Sequence, residues 1–202
     1  MDDTFEIDGV TFRARTEYDD SHGAPWDEED GHGPVSDWTR REKLPGEIVL
    51  VEDRGFYRYY DYAEACKIAQ KEAWGYLPGT LKTELLPCGD WRVYVVPERF
   101  ADRGKPALEA IATDINAAIR AVYAAHRATM TKRQYAAAAA MADYDRLRQW
   151  CDNQWHYVGV IVESLDEDED VIDSASIWGI ESDAYDYLDE VAQDLAAELL
   201  AA

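Results

Sequence analysis

The chain has 202 residues, 42 of them acidic and 20 basic, for a net charge of -22; 47% are apolar and 12% aromatic. Seven Trp and 13 Tyr are too many for a disordered acidic tail, so the chain is expected to fold around one sizeable core or two small ones. The charge argues against a direct nucleic-acid or anionic-membrane binder, because both would repel it and neither a Lys/Arg stripe nor a basic amphipathic helix is present.

In chain order, Phe5 to Ile7 and Val10 to Arg15 flank Asp8-Gly9, the strongest short signal for a β-hairpin. The polar stretch 19–47 is too long for an ordinary connection and is expected to be an acidic loop. Ile48 to Glu52 and Phe56 to Tyr60 flank Asp53-Arg54-Gly55, a second hairpin; Tyr62 to Trp74 reads as a helix closed by Gly75, and Trp91 to Val96 as a strand. Pro106 is placed to open a helix carrying Leu108, Ile111, Ile115, Ile119 and Val122 to about Arg127. Thr131 and Gln134 offer a capping box for a second helix through the Ala136 to Ala140 run to about Cys151, and the two are expected to form a helical hairpin. His156 to Leu165 and Ser174 to Ile180 read as an antiparallel hairpin with the acidic tip Asp166 to Asp170. Ser182 is the expected N-cap of a last helix from Asp183 to about Leu200, with Leu188, Val191, Ala192, Leu195 and Leu199 on one face and Asp183, Asp186, Glu190, Asp194 and Glu198 on the other. The class is α+β: small antiparallel sheets, a long helical hairpin and a C-terminal acidic amphipathic helix. The expected regions are 1–104 and 105–202, or one continuous domain.

Charge is uneven along this order. Residues 1–38 hold 12 acids and 2 bases, 39–150 hold 15 and 18, and 151–202 hold 15 acids and no base. Like charges three or four apart on a helix cost a few tenths of a kcal/mol per pair, so stability alone does not select the acidic stripe. A row of carboxylates can instead present a phosphate-like field to a protein that binds DNA or RNA. The candidate partner-binding residues are therefore Asp166, Glu167, Asp168, Glu169 and Asp170 of the tip with Asp183, Asp186, Glu190, Asp194 and Glu198 of the helix, joined by the acidic loop.

Other chemistry is less well supported. Cys66, Cys88 and Cys151 form no CxxC pair and are odd in number, the start Met1-Asp2-Asp3-Thr4 is acidic, and no apolar run reaches the roughly 18 to 20 residues that span a bilayer. A cytoplasmic protein is the expectation. His22 and His32, with nearby acids, could ligate a divalent metal, but their ten-residue spacing fits no metal motif. There is no GxSxG, no phosphate-binding loop and no local Cys/His pair; His126 and His156 read as packing residues, and close carboxylates such as Asp143 and Asp145 carry little information in so acidic a chain. No enzyme activity, metal or cofactor is expected.

Three stretches carry a resemblance: Pro25-Trp26-Asp27-Glu28-Glu29-Asp30-Gly31-His32-Gly33-Pro34-Val35; Pro45-Gly46-Glu47 with Tyr59-Tyr60-Asp61 and Ala73-Trp74-Gly75; and Trp150-Cys151-Asp152-Asn153-Gln154-Trp155-His156-Tyr157-Val158-Gly159-Val160 with Trp178-Gly179-Ile180-Glu181-Ser182. The chain resembles an uncharacterised family of bacteriophage and prophage proteins. That family brings no activity or catalytic residue, but it implies a phage setting inside a bacterial host. By analogy of class, not homology, the chain resembles small acidic phage accessory proteins that look like DNA mimics, so the expected function is inhibition of a restriction or CRISPR type defence system, the partner being a basic host protein or ribonucleoprotein. The alternatives are a non-enzymatic phage accessory or assembly module using the aromatic residues of the loop, and a metal-dependent enzyme built on His22 and His32.

Overall fold

A computed structural model describes residues 2–97 and 108–201, apart from the side chains of Asp2 and Pro97. The fold is α+β, with three small antiparallel sheets. The chain divides into two compact units, 1–29 with 148–202 (unit 1) and 30–147 (unit 2). Unit 1 thus joins the two ends of the sequence, whereas the sequence reading divided it once, at 104/105, a point outside the described residues. Its first strands pair with strands from the far end of the chain, a long-range partnership that local patterns do not encode.

In unit 1, β1 (Asp2–Ile7) and β2 (Val10–Tyr18) form the expected hairpin, with Asp8 and Gly9 both at positive φ (52° and 84°), the geometry that Asp-Gly favours. β9 (Tyr157–Leu165) and β10 (Val171–Glu181) form the other, and the sheet order is β1-β2-β9-β10. β9 is an inner strand, buried along almost its whole length, which explains its unbroken apolar run. Gly159 is needed there because Trp178 lies where its Cβ would be. The last helix, α5 (Tyr185–Ala201), packs Leu188, Val191, Ala192, Leu195 and Ala196 onto Phe12, Ala14, Val158, Val160 and Val162. Each larger side chain buried there contributes about 1.5–3 kcal/mol, enough to hold an acidic helix on the sheet. The helix starts two residues later than the sequence suggests. Ser182 Oγ accepts from the His156 N–H (3.0 Å), so Ser182 ties down the strand end instead of capping the helix.

The segment 19–47 is not one loop. It contains the helical turn α1 (Pro25–Glu28) and the strand β3 (Val35–Thr39), and Trp26 packs edge-on against Trp150 at 5.2 Å. Asp19 closes the start of the segment: its carboxylate accepts from the Ser21 N–H (3.0 Å) and hydroxyl (2.7 Å) and from the Gly179 N–H (3.1 Å). These bonds, the Ser21 hydroxyl first, hold the Asp19 carboxyl below its ordinary pKa against the opposing effect of burial.

In unit 2, β3, β4 (Glu47–Asp53) and β5 (Phe56–Asp61) make a sheet in the order β3-β5-β4, and β6 (Gly79–Leu85), β7 (Trp91–Pro97) and β8 (Glu109–Ala112) make another in chain order. β8 replaces the expected first turns of a helix. Leu108, Ala110 and Ala112 are half-buried while Glu109 and Ile111 are exposed, a two-residue period that overrides the heptad reading. Pro106, the expected helix start, lies outside the described residues. α3 (Ile115–Arg127) is opened instead by Asp114, whose carboxylate accepts from the Asn116 and Ala117 N–H groups (3.2 Å each). Its Ala118 and Val122 pack on Val93 and Val95 of β7. α4 (Lys132–Cys151) has the expected Thr131/Gln134 capping box, but Ala136 and Ala139 lie against Ala69 of α2 (Tyr62–Glu72). The two consecutive helices meet through His126 and Tyr135, whose rings are 5.9 Å apart, but rest other apolar residues on different neighbours. α2 ends with Ala73 in the left-handed region (φ 59°), two residues before the expected Gly75. Among the described residues, no helix is long and apolar enough to cross a membrane.

Candidate partner-binding surface

The division into units places the net charge. Unit 1 carries 25 acids and 3 bases, and unit 2 carries 17 of each, so the whole excess of -22 belongs to unit 1. All three of its bases face carboxylates: Arg13 (2.7 Å) and Arg15 (3.5 Å) reach Glu163, Arg15 also contacts Glu17, and Arg148 lies 3.8 Å from Asp152. The Arg13 hydrogen bond, then the charges of Arg13 and Arg15, keep the Glu163 carboxyl below its ordinary pKa.

Every one of the ten residues selected from the sequence is exposed. Glu167, Asp168, Glu169 and Asp170 lie on the β9–β10 turn. Asp166 has a structural duty there, its carboxylate accepting from the Asp168 and Asp170 N–H groups (2.9 Å each). On α5, Asp186, Glu190, Asp194 and Glu198 follow the solvent face with Asp189 beside them, opposite the buried stripe. Five carboxylates over twelve residues of rise give about one charge per 4 Å of helix, close to the roughly 3.4 Å per phosphate of a nucleic-acid strand.

Topology brings the tip and the C-terminal turn of α5 to one end of unit 1. Thr11 pairs with Leu165, so the β1–β2 turn with Asp8 lies beside the acidic tip. α5 begins next to His156 and Val158, at the opposite end of the sheet, and runs back along β9 and β10. Its C-terminal turn, with Glu198 and no basic residue, therefore approaches the tip end. One loop acid of unit 1, Glu29, lies away from the tip. Glu29 accepts from the Tyr157 hydroxyl (2.5 Å) at the start of β9, and nine strand residues, roughly 30 Å, separate Tyr157 from the tip.

The two histidines considered as metal ligands have separate surroundings. The His22 ring lies 3.9 Å from that of Tyr157, within unit 1. His32 Nδ1 is 2.5 Å from Asp143 Oδ1, within unit 2. Among the described residues, no three His, Cys, Asp or Glu side chains are grouped as metal ligands would be. Sequence reasoning missed the network around Asp143, whose other oxygen accepts from the Gly33 N–H (2.7 Å) and the Tyr60 hydroxyl (2.6 Å). Burial, then the Asp143 charge, push the Tyr60 hydroxyl pKa far up, so it remains a donor. His126 is buried between the rings of Tyr76 (5.5 Å) and Tyr135 (5.9 Å), and burial lowers its pKa.

Comparison of the chain with protein-family models, with curated proteins and with solved structures finds no match.

Proposed function

We propose that the protein is a phage-encoded inhibitor of a host nucleic-acid-binding defence system, of restriction or CRISPR type, acting in the host cytoplasm by protein binding and without catalysis. The α5 carboxylates and the neighbouring acidic tip occupy the basic channel that otherwise holds nucleic acid. The observation that supports this reading is the confinement of the entire net charge to unit 1, on exposed carboxylates that greatly outnumber its bases. A protein acidic only for solubility has no need of such segregation. The linear density of charge on α5 also approaches that of a strand, which favours competition for the same site.

The reading is tested by displacement of a labelled oligonucleotide from purified restriction or CRISPR effector complexes. Displacement is expected to weaken with salt and with the combined reversals Asp186→Lys, Glu190→Lys and Asp194→Lys. Inhibition unchanged by those reversals overturns it.

A second reading, a phage accessory or assembly module, is favoured by Trp38, which is 46% exposed on β3. It predicts a phage partner that is lost on Trp38→Ala and indifferent to the acidic helix.

A further inference from the structure

Unit 2 contains a cleft of a different character. One face of the β3-β5-β4 sheet carries Trp38, Tyr57 and Tyr59, with Trp38 paired to Tyr57 across the strands and the two Tyr rings nearly parallel (5°) at 5.7 Å. The segment Arg40 to Lys43 borders this face and leaves a cavity of about 580 Å³, within the roughly 300–1,000 Å³ of small-molecule sites. Tyr57, Tyr59, Arg40, Arg41, Lys43 and Glu52 are among the residues that line it.

Its wall is fixed in advance. The Arg41 guanidinium lies over the rings of Trp38 (4.3 Å) and Tyr59 (4.7 Å), donates to Glu47 (2.8 Å), and has its backbone carbonyl held by the Tyr59 hydroxyl (2.6 Å). Its Nε–H is buried and finds no acceptor among the described residues. Arg40 is in the left-handed region (φ 56°), held there by its N–H bond to the Gly55 carbonyl (2.8 Å). A non-glycine residue kept in that conformation costs on the order of 1–3 kcal/mol, and such strain concentrates at functional sites. In the same lining, the Glu52 carboxylate accepts from the Tyr57 hydroxyl (3.2 Å) at the edge of the ring.

A ligand matching this arrangement has a planar ring for Tyr57, an amino group for Glu52 and an anion for the Arg40 and Lys43 rim. We propose that the cleft binds a free nucleoside monophosphate with an exocyclic amino group, its base on Tyr57 and its phosphate between Arg40 and Lys43. This inference concerns unit 2 alone and does not rest on the acidic surface.

The test is calorimetric titration of the full-length protein in 0.15 M salt with AMP, adenosine, inorganic phosphate and a 5′-phosphorylated oligo-dA. One AMP is expected per chain, with adenosine and phosphate each weaker by about tenfold or more, since stacking and charge contribute separately. Lys43→Glu, an exposed change, is expected to weaken AMP by about tenfold; Tyr57→Ala does likewise and Tyr57→Phe does not. Absence of saturable AMP binding, or AMP affinity unchanged by Lys43→Glu, overturns the proposal. Oligo-dA binding as tightly as AMP overturns the assignment to a free nucleotide in favour of a strand end.

Discussion

Unit 1 and unit 2 both cover a small antiparallel sheet with a helix and both draw a carboxylate inside, Asp19 in unit 1, yet their balance of charge is very different. In unit 2, acids and bases are equal in number and a carboxylate is drawn inside, Asp143, held by Tyr60, Gly33 and His32. In unit 1, acids exceed bases by 22, and those of α5 and the tip stand on the surface. The lesson is that charge number and charge use are separable. Each unit uses a carboxylate to organise its interior, Asp19 in unit 1 and Asp143 in unit 2, while unit 1 also tolerates repulsion on α5 because five buried side chains hold that helix regardless.

The sharpest way to break this comparison is to make the same chemical change in both places. Asp143→Asn leaves a network built around a buried carboxylate and is expected to cost about 3 kcal/mol in denaturant unfolding. Asp194→Asn on α5 is expected to cost nothing, or to stabilise by a few tenths of a kcal/mol, because it relieves a like-charge pair. Equal losses at both sites would show that the surface acids are structural after all.

A smaller effect separates roles within the acidic tip. Asp166→Ala removes the acceptor of two turn N–H groups and is expected to cost about 1 kcal/mol, with faster amide exchange at Asp168 and Asp170. Glu167→Ala is expected to leave exchange and stability unchanged. If the two behave alike, Asp166 belongs with the binding residues and not with the turn.

The weakest effects come from the medium. Salt is expected to slow amide exchange in α5 by on the order of 1 kcal/mol of local stability while changing the core of unit 2 less. Acid acts on unit 2 through His126, whose lowered pKa means that the folded state prefers the neutral ring. Its contribution is complete above the unfolded value near 6.5 and is lost as the pH falls through the depressed folded value. Replacing His126 by Phe is expected to flatten that part of the stability profile; an unchanged profile would remove His126 as its cause.

What was legible in the sequence was local. Asp8-Gly9 announced its hairpin, and the stripe Leu188, Val191, Leu195 announced both faces of α5, because each pattern is complete within a few residues. Period confused the reading where two periods coexist: Leu108 and Ile111 fit a helical stripe with Ile115, but Leu108, Ala110 and Ala112 fit a strand, and the sheet with β7 decided it. β3 was hidden in a polar segment because only Val35 and Trp38 are strongly apolar there, and its pairing with β5 supplies the rest. The Asp143 network was invisible, since its partners lie 111 and 83 positions away. Segment charges had already suggested an acidic surface. Only the pairing of β2 with β9 joined the two acidic ends into a single unit.

The central claim, that unit 1 competes with nucleic acid for a basic channel, is met most directly by one measurement. It is the salt dependence of oligonucleotide displacement from a defence effector complex, compared for the native chain and the Asp186→Lys, Glu190→Lys, Asp194→Lys variant. The account predicts displacement by the native chain that declines steeply with rising salt and is lost in the variant, with α5 still folded by circular dichroism. Displacement that is indifferent to salt and retained by the variant would contradict it.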